Sequence, residues 1–76
     1  MNLVPRIEGS KLIVFNAENG SIQHTAELPG SCNYSGPIVT GDTATVTIHP
    51  KNGNKDKIRV YSLKGATLKR EINLWW

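Results

Sequence analysis

Residues 11–28, KLIVFNAENGSIQHTAEL, align without a gap on residues 57–74, KIRVYSLKGATLKREINL, at an offset of 46. Lys11 meets Lys57, Val14 meets Val60, and Leu28 meets Leu74. The pairs Leu12 with Ile58, Phe15 with Tyr61, Asn16 with Ser62, Ser21 with Thr67 and Ile22 with Leu68 are conservative. His24 and Arg70 fall on the same otherwise apolar stripe. Each copy is an alternating β-rich segment, a four-residue turn and a second alternating segment, which is the pattern of a hairpin. No window holds a helical period of useful length, so a duplicated hairpin decides the fold class.

Working outward from the two copies, turn signals recur at short intervals. Glu8-Gly9-Ser10, Glu18-Asn19-Gly20, Pro29-Gly30, Gly36-Pro37, Gly41-Asp42, Asn52-Gly53-Asn54 and Lys64-Gly65 each offer positive φ or a preset proline geometry. Between them, strands are predicted over 3–7, 11–16, 21–28, 37–40, 43–49, 57–62 and 67–74. Pro5 cannot donate to a ladder, so the first of these is expected to be an edge strand or an irregular one. Residues 43–49 alternate without a break: Ala44, Val46 and Ile48 on one face, Thr43, Thr45, Thr47 and His49 on the other. The expectation is an all-β antiparallel meander of about six to seven short strands. Its predicted core is Leu12, Val14, Val46, Ile48, Ile58 and Val60, with Leu28 and Leu74 in equivalent environments.

A further strand precedes each hairpin, giving a partial repeat over 3–28 and a fuller, four-stranded one over 35–74 of a single domain, 1–76. Four short antiparallel strands repeating every 40–50 residues or so is the pattern of a β-propeller blade. "GPIVTGDTATVTI" looks like the first two strands of a blade, and residues 57–74 resemble its outer hairpin. Over residues 11–74 the chain thus resembles propeller repeats of the WD-repeat and quinoprotein-like kind. The Gly-His and Trp-Asp dipeptides of WD repeats are absent, and no quinoprotein cofactor residues are present to carry over. A small barrel or two-sheet sandwich built from the duplicated hairpin is the alternative architecture. If the blade reading holds, the chain carries about one and a half blades, and a repeat unit cannot bury both of its faces alone.

Seventy-six residues bury a modest share of their unfolded surface, and small scaffolds usually need a staple. Cys32 is the single cysteine, which excludes an internal disulfide. Cys32, His24 and His49 lack metal-ligand spacing, and no cofactor is expected. Oligomerisation or docking on a larger assembly is the remaining route to stability. The N-terminal MNLVPR lacks the apolar run of a signal peptide, and no stretch has the length of a membrane span. A free cysteine fits a reducing compartment, so a cytoplasmic protein or part of an intracellularly assembled particle is expected, with no membrane partner. The two glycosylation sequons, at Asn19 and Asn33, read as turns.

Reactive constellations are not evident. Cys32 with either histidine reads as a small thiol beside strand histidines rather than a nucleophile pair. Asp42, Asp56, Glu8, Glu18 and Glu27 lie in or beside turns, and no two form an acid/base pair. Gly30-Ser31-Cys32 and Gly41-Asp42-Thr43 lack the lysine and helix of a phosphate loop. The chain is therefore read as not an enzyme but a structural or interaction module, a subunit of a larger or homo-oligomeric assembly. Virion-type decoration or connector parts are the association. Leu74, Trp75 and Trp76 are the expected interface, since tryptophan is enriched in hot spots; folding back over the core is the plainer role for them. One alternative is a nucleic-acid-binding β domain, with Lys51, Lys55, Lys57, Lys64, Lys69 and Arg70 on phosphates; a net charge of +3 is mild for it. The other is a lectin-like carbohydrate binder using Tyr34, Trp75 and Trp76.

Overall fold

A computed structural model of the chain describes residues 2–74, all of them strand, turn or loop. In chain order the strands are β1 (Leu3–Glu8), β2 (Lys11–Asn16), β3 (Ile22–Glu27), β4 (Cys32–Thr40), β5 (Thr43–Pro50), β6 (Lys57–Ser62) and β7 (Leu68–Asn73). They form a three-stranded sheet, β1-β2-β3, and a four-stranded sheet, β4-β5-β6-β7, antiparallel throughout. Pro5 lies on an edge strand, as its missing donor requires.

The one large departure from the expected elements is β4, which starts at Cys32 rather than at Pro37. Pairing with β5 runs through that dipeptide by way of a bulge between Ser35 and Ile38. Gly36 sits at φ 101°, and a Cβ there would come within 3.0 Å of the Thr45 carbonyl oxygen. Only glycine fits that close approach, and the bulge removes the need for a proline donor.

The duplication holds in three dimensions residue for residue. β2 and β3 are offset from β6 and β7 by the same 46 positions. The registers coincide too: Lys11 faces Glu27 as Lys57 faces Asn73, and Val14 faces His24 as Val60 faces Arg70. Each hairpin has its bulge at the same place, between Val14 and Phe15 and between Val60 and Tyr61. The closing bonds repeat as well. Asn16 N–H donates to the Ser21 carbonyl and Ser62 N–H to that of Thr67, both at 2.8 Å. Ala17 N–H reaches the Asn2 carbonyl as Leu63 N–H reaches that of Asp42, again at 2.8 Å. In the turns, Glu18 N–H donates to Asn16 Oδ1 and Lys64 N–H to Ser62 Oγ.

What does not repeat is the buried face. Leu12 and Val14 of β2 are fully buried, and they meet Val46 and Ala44 of β5, also fully buried. On β6 the inward residues are Tyr61 and, just past the strand, Leu63. Ile58 and Val60, the counterparts of Leu12 and Val14, lie on the opposite side and are only half-buried. Register explains this. Ala44 faces Tyr61 and Val46 faces Arg59, so the inward face of β5 continues into the odd-numbered residues of β6. The expected core is thus corrected at Ile58 and Val60, and Leu28 at 5% exposed has no equally buried partner in the half-buried Leu74.

Two buried clusters join the sheets. One holds Leu12, Leu28, Val46, Ile48 and Tyr61, the other Val14, Ala44, Leu63 and Ala66. Leu12, Val14, Val46 and Ile48, wholly out of water, each contribute about 1.5–3 kcal/mol. β7 is exposed along its whole length. On the inward side of this uncovered margin, Arg59 Nε donates to Glu71 Oε2 at 2.6 Å and Nη1 to the Tyr61 hydroxyl at 3.1 Å.

Candidate functional site

The outer face of each sheet follows from the register. On the four-stranded sheet, Ser35, Thr47, Ile58 and Ile72 make one cross-strand row. Ile38, Thr45, Val60 and Arg70 make the next. Ile38 is 66% exposed and Ile72 40%. On the three-stranded sheet, Val4, Phe15 and Ile22 form one outward row, and Arg6, Ile13 and Thr25 another. Ile22 is 59% and Val4 47% exposed. A third row is charged: Glu8, Lys11 and Glu27, with ion pairs Arg6–Glu8 at 3.1 Å and Lys11–Glu27 at 3.8 Å on the same face. One outward row, Val4–Phe15–Ile22, is wholly apolar; the rows of the four-stranded sheet mix isoleucine and valine with Ser35, Thr45, Thr47 and Arg70. Scattered exposed apolar residues are ordinary on a protein surface; a row of them across neighbouring strands is less so.

Sequence reasoning missed one polar constellation. Ser35 Oγ lies 2.9 Å from His49 Nε2, and His49 Nδ1 lies 2.8 Å from Asp56 Oδ2. The three residues come from β4, the end of β5 and the loop that follows, and the chain of bonds ties that loop to the sheet. The order nucleophile, imidazole, carboxylate is that of an acyl-transfer triad. Its setting is open. The side chains of His49 and Asp56 are 39% and 41% exposed. Two shallow depressions in the surface are lined elsewhere, one by Asn2, Leu3, Gly41, Asp42, Leu63 and Lys64, the other by Val60, Lys69 and Arg70. No signal in the sequence reveals this trio, because the contact depends on the register of β4 against β5.

The residues singled out from sequence are scattered. Cys32 packs against the core, on the side opposite His49, and its thiol donates to the Gly30 carbonyl at 3.2 Å. His24 is exposed on β3 and touches neither. Among the described residues, no group of three or more His, Cys, Asp or Glu could hold a metal ion. Lys57 lies 4.0 Å from Glu71. Lys51 and Lys55 ride on the loop after β5, Lys64 on the last turn, and Lys69 and Arg70 on β7, so only the last two stand together. Tyr34 packs against the core and its hydroxyl donates to the Pro29 carbonyl, which takes it out of service as a stacking platform. Desolvation, with a lesser contribution from Cys32, raises its pKa above the ordinary phenol value. Arg59 is the other shifted group. Burial alone would lower its pKa, but the bonds to Tyr61 and Glu71 outweigh it and hold the guanidinium charged. Trp75 and Trp76 lie outside the described residues, and Leu74, just past the end of β7, is half-buried. No helix among the described residues is long and apolar enough to cross a membrane. No protein-family model matches the chain, nor does any curated protein or solved structure.

Proposed function

We propose that the protein is a non-catalytic structural or interaction module, a subunit of a larger or homo-oligomeric assembly that docks through the outer faces of its sheets. The observation that carries this is the reversal of the second hairpin, which leaves Ile58, Val60 and Ile72 outward while their counterparts Leu12, Val14 and Ala26 line the core. The association with particle decoration or connector parts belongs to the same reading. A nucleic-acid interface has less support, because the candidate lysines are dispersed over two loops and the strands β6 and β7. The test is the native mass of the chain in gentle extracts of its own cells. It should migrate well above its 8.4 kDa monomer; a peak confined to the monomer position overturns the reading.

A second reading rests on the hydrogen-bonded Ser35, His49 and Asp56. With the imidazole as base, Ser35 Oγ would attack an ester carbonyl, and the alkoxide would leave with the proton. Open exposure weakens it, since such a site has no wall to hold substrate or exclude water. Incubation with a p-nitrophenyl ester decides. The module reading expects equal, background release from the wild type and Ser35→Ala; an acyl group carried on Ser35 replaces that reading with acyl transfer.

A further inference from the structure

We infer that the free edge of β7 takes up an extended, acidic segment of a partner protein as an added strand. This rests on the module reading above and gives it a further contact, at an edge rather than on a face. β7 is the last strand of its sheet and is exposed at every position. Ser62 N–H donates to the Thr67 carbonyl at one end of the hairpin, and Leu74 N–H to that of Asp56 at the other, at 3.1 Å. The latter bond fixes the phase of the ladder. Ile72 and Leu74 turn their backbone groups towards β6, whereas Glu71 and Asn73 turn theirs off the edge. Among the described residues, no backbone bond from outside the sheet reaches those groups. β1, an edge of the other sheet, is interrupted by Pro5; β7 carries no proline. An uninterrupted edge is the template that strand addition uses.

Charge says which kind of strand fits. The hairpin of residues 57–74 carries Lys57, Arg59, Lys64, Lys69 and Arg70 against Glu71, a net of +4. Its counterpart, residues 11–28, carries Lys11 against Glu18 and Glu27, a net of −1. Two copies of one hairpin thus differ by five charges, and the basic copy holds the uncovered margin. Glu71 takes up Lys57 and Arg59 on the inward side, at 4.0 and 2.6 Å. The bulge places the remaining pair. Val60 pairs with Arg70 and Tyr61 with Leu68, so Lys69 is the extra residue. It lines one depression with Val60 and Arg70, which sets both cations on the outward side. No carboxylate of the described residues pairs with either.

Edge lysines ordinarily repel a second copy of the same strand, and β7 laid on β7 would meet that repulsion. An acidic strand meets the opposite sign. Side chains two positions apart share a face, so the partner's glutamate or aspartate would stand beside Arg70 and an apolar residue beside Ile72. A nucleic acid would find the charge but could not match the alternating N–H and C=O groups of the edge. Nor is there a stacking surface for bases, since Tyr61, the one aromatic of residues 57–74, is buried.

The experiment titrates the purified full-length chain into a fluorescent, end-blocked peptide that alternates threonine with glutamate and valine, and into the same peptide with lysine for glutamate. Anisotropy should rise with the acidic peptide and stay flat with the basic one. Arg70→Glu should weaken acidic binding roughly tenfold and take up the basic peptide, because the reversal replaces an attraction with a repulsion. Asn73→Pro removes a donor from the open edge and none from the β6 ladder, so binding should be lost while the cooperative melt stays. Should that variant unfold, a peptide N-methylated at alternate residues tests the same bonds on the wild type. No binding of the acidic peptide overturns strand addition, as does equal binding by the wild type and Asn73→Pro or by the methylated peptide. An oligothymidylate that binds where the acidic peptide does not overturns it in favour of nucleic acid. A high native mass in extracts without peptide binding leaves the module reading standing and removes the edge from it.

Discussion

The β2–β3 and β6–β7 hairpins share their register, their bulge and their closing hydrogen bonds, yet they turn opposite sides to the core. The difference separates two things that strand sequences are often taken to encode together. Local chemistry, through turn residues and alternation, sets which residues pair across the strands. Which of the two resulting faces goes inward is set by the neighbouring strand. β5 has one plainly apolar face, Ala44, Val46 and Ile48, and it drags the odd residues of β6 inward with it. β2 has no such neighbour and buries its even residues against the other sheet. The second hairpin tolerates this because it is usable on both sides, with Tyr61 on one and Ile58 and Val60 on the other.

The strongest break in the symmetry should appear in matched truncations. Leu12→Ala is expected to cost about 2–5 kcal/mol, as for a leucine with no exposed surface. Ile58→Ala, at the equivalent position on an outward face, should cost well under half as much in the isolated domain. Urea unfolding of the two variants at a concentration where the chain is monomeric gives the comparison. Equal losses would mean that Ile58 is covered after all, and the reversal of faces would fail with it.

This comparison also marks how far the residues could be read unaided. Both hairpins were legible, β2 and β6 to the residue and β3 and β7 to within one residue at each end, since Asn19-Gly20 and Lys64-Gly65 announce turns and the flanking alternation is clean. The face of 43–49 was legible for the same reason, threonines against Ala44, Val46 and Ile48. The face of 57–62 reads the wrong way round, because alternation ranks Ile58 and Val60 above Lys57, Arg59 and Tyr61, and the pairing of β6 with β5 overrides that ranking. The first half of β4 was hidden behind Gly36-Pro37, a terminator in most contexts and here a bulge on an edge strand. Ser35, His49 and Asp56 were invisible as a group, being separated by 14 and 7 positions and joined only by strand register. The expected interface residues Trp75 and Trp76 lie outside the described part of the chain.

A smaller effect sharpens the comparison at the turns. Gly20 and Ala66 occupy equivalent positions, and both take left-handed backbone, at φ 75° and 55°. Nothing stands within 4 Å of a Cβ added at Gly20, so Gly20→Ala tests backbone strain without a clash. Left-handed φ costs a non-glycine residue about 1–2 kcal/mol. The stiffer unfolded chain returns about 0.4–1 kcal/mol of this, so the expected net loss for Gly20→Ala is roughly 1 kcal/mol. Ala66 already carries the strain, so Ala66→Gly should release it. It does not do so freely: the Ala66 methyl is 6% exposed and packs with Val14, Ala44 and Leu63. Losing a buried methyl costs about 0.8 kcal/mol, and the added freedom of the unfolded chain takes back about 0.4–1 more. The three contributions nearly cancel, and Ala66→Gly should leave the urea midpoint almost where it was. A gain of more than about 1 kcal/mol would show that the alanine methyl does no packing. A silent Gly20→Ala would show that the two turns, matched in register, do not share a backbone.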